Sequence, residues 1–120
     1  MNKVKEENYK KGREGEDLAK AYLLRKGFIF IEANFENKIG EIDLIMRDGN
    51  WLVFVEVKYK SDDRLGLPEE MISSRKIWQI KRVAESYLVE NKHDLKDFCK
   101  YRVDAVCILG TKIKHYENIE

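Results

Sequence analysis

The chain is poor in the residues that most often announce a chemistry. It has two cysteines, Cys99 and Cys107, with no CxxC spacing. That argues against a disulfide framework and a thiolate zinc site, and it fits a reducing compartment with two ordinary half-buried thiols. The two histidines, His93 and His115, stand alone without ligand spacing and receive no role. No apolar run approaches the roughly 18 residues of a membrane span. The charged N-terminus lacks the apolar core of a signal peptide. A cytoplasmic protein with no membrane partner is therefore expected. There is no phosphate-cradling glycine loop and no nucleophile–histidine pair, so nothing supports metabolite chemistry. An excess of one charge is missing too. The net charge is +1, so any hold on nucleic acid must come from local patches.

What remains is enough for one domain. The 120 residues are 43% hydrophobic, which supplies one core, and residues 1–120 show no repeat, linker or low-complexity segment. Residues 1–9 are polar and expected to fray. A helix is expected from about Lys10 to Lys26, with Leu18, Ala19, Tyr22 and Leu23 as its apolar stripe and Gly27 as its stop. Gly12 and Gly15 in its first turns cost about 1 kcal/mol each at interior positions. Either the backbone approaches something closely there, or the helix starts late.

Phe28 to Phe35 reads as a strand, with Asn34 and Asn37 suggesting a turn before Gly40. A hairpin follows to about Lys60, then a loop to Pro68. That loop leaves the end of a charged strand, a common place for site-covering segments. Ser73 or Ser74 caps a second helix to about Glu90, with Ile77, Ile80, Ala84, Tyr87 and Leu88 on one stripe. Arg102 to Leu109 is a strand, and Lys112 to Ile119 a last, edge strand. Asp104 interrupts the former and reads as a helix- or backbone-bonded structural acid. The order α-β-β-β-α-β-β gives an α/β fold, a mixed β-sheet flanked by helices.

The hairpin, GEIDLIMRDGNWLVFVEVK from Gly40 to Lys58, is the informative stretch. A two-residue turn at Asp48-Gly49 or at Gly49-Asn50 keeps its faces consistent. Alternation then puts Glu41, Asp43, Glu56 and Lys58 on one side, with Leu52 and Phe54. Ile42, Leu44 and Met46 against Val53, Val55 and Val57 form the other, apolar side. The bland reading of the charged side is a surface ion-pair ladder, worth little. Yet Leu52 and Phe54 share it, so it is partly buried, and buried charges need partners or a metal.

Asp43 and Glu56 on adjacent strands can hold a hard divalent cation through oxygen, with the Val57 carbonyl as a third ligand. Lys58 would stand beside a metal-bound water. Glu16 could add a ligand if the first helix packs across this face, and Glu41 could pair with Lys58 as a supporting partner. Arg75, Lys76, Lys81 and Arg82 make the second helix start basic, with Gln79 beside Arg82 off the apolar stripe. They form a solvated face or a set of phosphate contacts. Lys10, Lys11 and Arg13 are a second basic group.

The D-x12-E-x-K pattern on a hairpin, after a glutamate-bearing helix, resembles the PD-(D/E)xK nuclease superfamily with its restriction-endonuclease-like fold. The whole chain resembles the YraN family more closely. The matching stretches are GREGEDLAKAYLLRKGF, GEIDLI, FVEVKYK, AESYL, RVDAV and IKHYEN, nearly the full length. Ile42 stands where the superfamily's name has proline, Tyr59-Lys60 where the family more often has threonine and arginine, and Glu69-Glu70 adds negative charge before the second helix. The resemblance implies Asp43 and Glu56 as metal ligands, Lys58 as catalytic lysine and Glu16 as accessory acid. It implies a Mg2+- or Mn2+-dependent endonuclease on structured or branched DNA. The alternative is a nucleic-acid-binding module of the same fold with little or no cleavage. A homodimer through the terminal edge strand is a further possibility.

Overall fold

The structure, a computed structural model, describes residues 3–98 and 100–119, with side chains from residue 10 on. The elements are α1 (Lys3–Arg25), β1 (Ile29–Glu36), β2 (Glu41–Asp48), β3 (Trp51–Lys60), a 3-10 turn (Pro68–Met71), α2 (Ser74–Glu90), β4 (Lys100–Leu109) and β5 (Lys112–Tyr116). The expected order and the mixed α/β sheet are both present. Strands lie side by side in chain order, β1 to β5. All neighbours are antiparallel except β3 and β4. A parallel pair needs a crossover, and α2 supplies it.

The sheet is covered on both faces. Ala19 and Leu23 of α1 pack on Leu44, Met46, Val53, Val55 and Val57. Ile80, Val83, Ala84 and Tyr87 of α2 pack on Ile42, Ile45, Leu52, Phe54 and Val103. This is why β3 reads as a near-continuous apolar run: from Leu52 to Val57 every residue is buried. Ser73 caps α2, its side chain accepting from the Lys76 N–H at 3.1 Å. Gly27, at φ 97°, ends α1 in the left-handed conformation its sequence position suggests.

Several expectations need correction. The backbone is already helical from Lys3, so residues 3–9 continue α1 instead of fraying, and a late start no longer explains Gly12 and Gly15. Asn34 lies inside β1, and the turn is made at Asn37, whose Oδ1 accepts from the Ile39 N–H at 2.9 Å and the Gly40 N–H at 3.3 Å. The last strand stops at Tyr116, short of Ile119. Cys107 is fully buried, and burial, followed by the charges of Glu69 and Glu56, pushes its thiol up to about 12. Such a thiol is inert. Cys99 lies outside the described residues.

Candidate functional site

The hairpin turn is at Gly49-Asn50, the second of the two registers the sequence allowed, because Asp48 pairs with Trp51. The ladder runs back to Leu44 and Val55. Asp43 and Glu56 are the next residues beyond the end of that ladder, and the charge of Glu56 acts on Asp43. There the chain departs from strict alternation. Leu44 packs under α1, whereas Ile42, two residues earlier, packs under α2. The expected apolar side of Ile42, Leu44 and Met46 is therefore split. The cause lies in β1. Ala33 pairs with Leu44 and Phe35 with Ile42, so Asn34 stands level with Asp43. Asn34 has φ 55°, and a left-handed residue inside a strand swings the pair over at that point. Asp43 is freed from either face. Its Oδ2 accepts from the Val57 N–H at 2.8 Å, which aims the carboxylate toward β3.

This placement lets Asp43 meet groups from both sides of the sheet. On the α1 side, one oxygen from each of Glu16, Glu41 and Asp43 lies within 4.8 Å of the others. The condition set for Glu16, that the first helix pack across the charged face, is not met: α1 covers the opposite face, and Glu16 reaches the group because Asp43 is swung toward it. Glu41 is a member of this carboxylate group, and the ion pair of Lys58 is with Glu56 at 3.3 Å. On the α2 side, Glu56 is 3% exposed and also has Lys76 Nζ at 3.9 Å.

The electrostatics follow from burial. Removal from water, then the charge of Glu56, pushes Asp43 up to about 7, against the Val57 N–H and Lys58. Burial also raises Glu56, with Lys76 and Lys58 pulling it down. Burial and the Asp43 charge raise Glu16, while a hydrogen bond from the Asn34 side chain lowers it. Crowded, half-dry carboxylates are under-compensated by the protein alone. An all-oxygen donor set of this kind fits a hard cation and not a thiolate metal. The cluster could hold a metal ion.

The basic residues are divided by the fold. Lys11 faces the recess beside Lys58 and Tyr59. Lys10 and Arg13 line a separate depression with Glu14 and Asp17. Lys76 serves Glu56. Gln79 donates to the Ile39 carbonyl at 2.9 Å and lies over Gly40, so it pins the start of β2 to α2. Arg82 pairs with Glu85 at 3.1 Å and stacks over Trp78, while Arg75 is exposed. The site residue missed by sequence reasoning is Asn34. Its signal was an asparagine amid the β-type run FIFIEANF, a residue type that tolerates the left-handed region.

No helix among the described residues is long and apolar enough to cross a membrane. The model of Uncharacterised protein family UPF0102 matches residues 15–108. A UPF0102 protein of Thermodesulfovibrio yellowstonii is 41% identical over 107 residues, covering 89% of this chain and 92% of the relative. One from Syntrophomonas wolfei is 39% identical over 115 residues, 92% of this chain and 97% of the relative. One from Shewanella sediminis is 43% identical over 95 residues, 79% and 80% respectively. The matched span holds Glu16, Glu41, Asp43, Glu56 and Lys58 alike, and the chain belongs to the UPF0102 family, the YraN family its motifs resemble.

Proposed function

We propose that the protein is a metal-dependent endonuclease that hydrolyses phosphodiesters in structured or branched DNA. The observation that carries this reading is the meeting of the Glu16, Glu41 and Asp43 carboxylates, with Asp43 also under the charge of Glu56, itself buried and paired with Lys58 and Lys76. Asp43 and Glu56, with the Val57 carbonyl, would hold Mg2+ or Mn2+, and Glu16 and Glu41 would hold its water or a second ion. A bound divalent ion supplies a polarised phosphoryl oxygen and a water of lowered pKa. Lys58 orients the attacking water and offsets charge on the phosphate. Lys76 and Lys58 oppose the rise that burial imposes on Glu56, which favours its use as a ligand.

Junction, flap and duplex DNA incubated in magnesium or manganese test the reading. Cleavage is expected for the natural chain. Lys58→Ala should lose about 100- to 1,000-fold in rate, the scale of one lost electrostatic contact to the reacting group. Asp43→Ala should abolish cleavage, and activity that survives it removes this site. A second reading, binding without cleavage, draws on the closure of Glu56 onto two lysines and the net charge of +1. Salt-dependent binding with no product in either metal would select it.

A further inference from the structure

Among the described residues nothing explains Gly12. It lies well inside α1, where a glycine costs about 1 kcal/mol relative to alanine. Gly15 has one: a Cβ there would meet Tyr59 Cβ at 2.8 Å. A Cβ on Gly12 would meet nothing within 4 Å among the described residues. What Gly12 does is line the floor of a recess of about 310 Å3, together with Lys11, Gly15, Lys58, Tyr59 and Met71. Gly12 is one helical turn from Glu16, on the same face of α1, so the recess leads away from the carboxylates.

The recess continues into a larger one, of about 440 Å3, with which it shares Lys11 and Tyr59. Lys60, Asp62, Arg64 and Leu65 complete that second part. Asp62 is already held by Arg64, whose Nε donates to it at 3.0 Å. Lys60 Nζ donates to the Leu65 carbonyl at 3.0 Å, which fixes the ammonium at the rim. Leu65 itself is 92% exposed. From the carboxylates outward the trough thus passes Lys58, Lys11, Lys60 and Arg64, with an aromatic ring and a bare leucine beside them.

We propose that this trough is the track of the DNA strand being cut, with the phosphate next to the scissile one passing over Gly12 and resting between Lys11 and Lys60. Its sugar and base lie against Tyr59 and Leu65. Gly12 is bare because the phosphodiester backbone occupies the space a side chain would take. This inference rests on the nuclease reading for its direction, and on the trough's cations and open floor for its ligand.

The test is binding of a fluorescently labelled flap DNA, read by anisotropy in calcium across a salt series, with cleavage measured in manganese. Gly12→Leu extends a side chain into the trough from a position where a Cβ meets nothing within 4 Å among the described residues, and it improves helix propensity, so its Tm should match or exceed the natural chain's. It should lose at least tenfold in affinity. Lys11→Glu, an exposed change that asks nothing of the fold, should also lose about tenfold and reduce the slope of log K against log salt by about 0.7 to 0.9. Lys92→Glu, the same charge change beyond the other end of α2, should stay within twofold. Natural affinity in both Gly12→Leu and Lys11→Glu overturns the trough and leaves the nuclease reading standing. An equal loss in Lys92→Glu also overturns it. A natural chain that binds but never cuts removes the nuclease reading, while the variants' binding still decides the trough. A natural chain that binds no DNA overturns both.

Discussion

Asp104 shows what one buried charge requires. It is 0% exposed, and it accepts from Arg102 Nε at 2.9 Å, from Arg102 Nη2 at 3.2 Å and from the Asn118 N–H at 3.0 Å, with His115 Nε2 at 2.8 Å. Arg102 reaches on to Asp48 at 2.9 Å, at the tip of the hairpin. The acid therefore ties β4 to the returning chain and to the β2–β3 turn. Asp104→Ala should cost about 3–5 kcal/mol in denaturant unfolding, because it leaves Arg102 buried without its main partner. Burial alone would raise this carboxyl, but the bonds from His115, Arg102 and Asn118 outweigh it and hold it below the usual range. A depressed folded value contributes stability above the unfolded value of about 3.9, and that contribution is lost as pH falls through the folded value. Unfolding curves between pH 7 and 2.5 should show an acid limb in the natural chain that is weaker in Asp104→Asn. The structural role of Asp104 was legible, since an acid in RVDAV demands partners. That of His115 was not: its partner is 11 residues away across a turn, and a single histidine has no periodicity to betray it.

At the level of elements, contact between α1 and β3 sets how close Glu16 comes to the hairpin. Gly15 permits that approach. Gly15→Ala should destabilise by about 1–3 kcal/mol, the usual cost of overpacking, despite the gain in helix propensity. Thermal melting of Gly15→Ala beside Gly12→Ala checks it: the first should fall and the second should hold or rise. The elements themselves were readable from periodicity, and the hairpin turn from its residue types to within two registers, of which the pairing of Asp48 with Trp51 takes Gly49-Asn50. Two features were not. Alternation carries no mark for a left-handed residue in the neighbouring strand, so the swing at Asp43 was invisible. An apolar stripe on a helix does not say which sheet face it covers, so the face under α1 stayed open. Glu56 found its cover in α2, whose Lys76 could satisfy it.

For the molecule as a whole, the carboxylate end is a cost to stability. Three carboxylates with oxygens within 4.8 Å repel one another, and burial strengthens that repulsion. Asp43→Asn keeps an oxygen for the Val57 N–H and removes one charge. It should raise the Tm of the metal-free protein by a few degrees while removing cleavage. Magnesium or manganese should raise the Tm of the natural chain by mass action and leave Asp43→Asn nearly unmoved, as scanning fluorimetry would show. An equal metal response in both would remove Asp43 as a ligand. The parallel pairing of β3 with β4 has a further consequence during synthesis. The chain emerges from its N-terminus, so α1 and the three-strand meander are complete before α2 and β4 exist. In that interval β3 is an open edge, and Leu52 and Phe54 lack the cover of α2. The apolar run WLVFV is then open along one edge and one face. Glu56 and Lys58, buried or half-buried in the finished fold, are in water at that stage. They break the run WLVFV at its end and act as gatekeepers for the nascent chain, a service owed to the same charges that pair with each other in the finished fold.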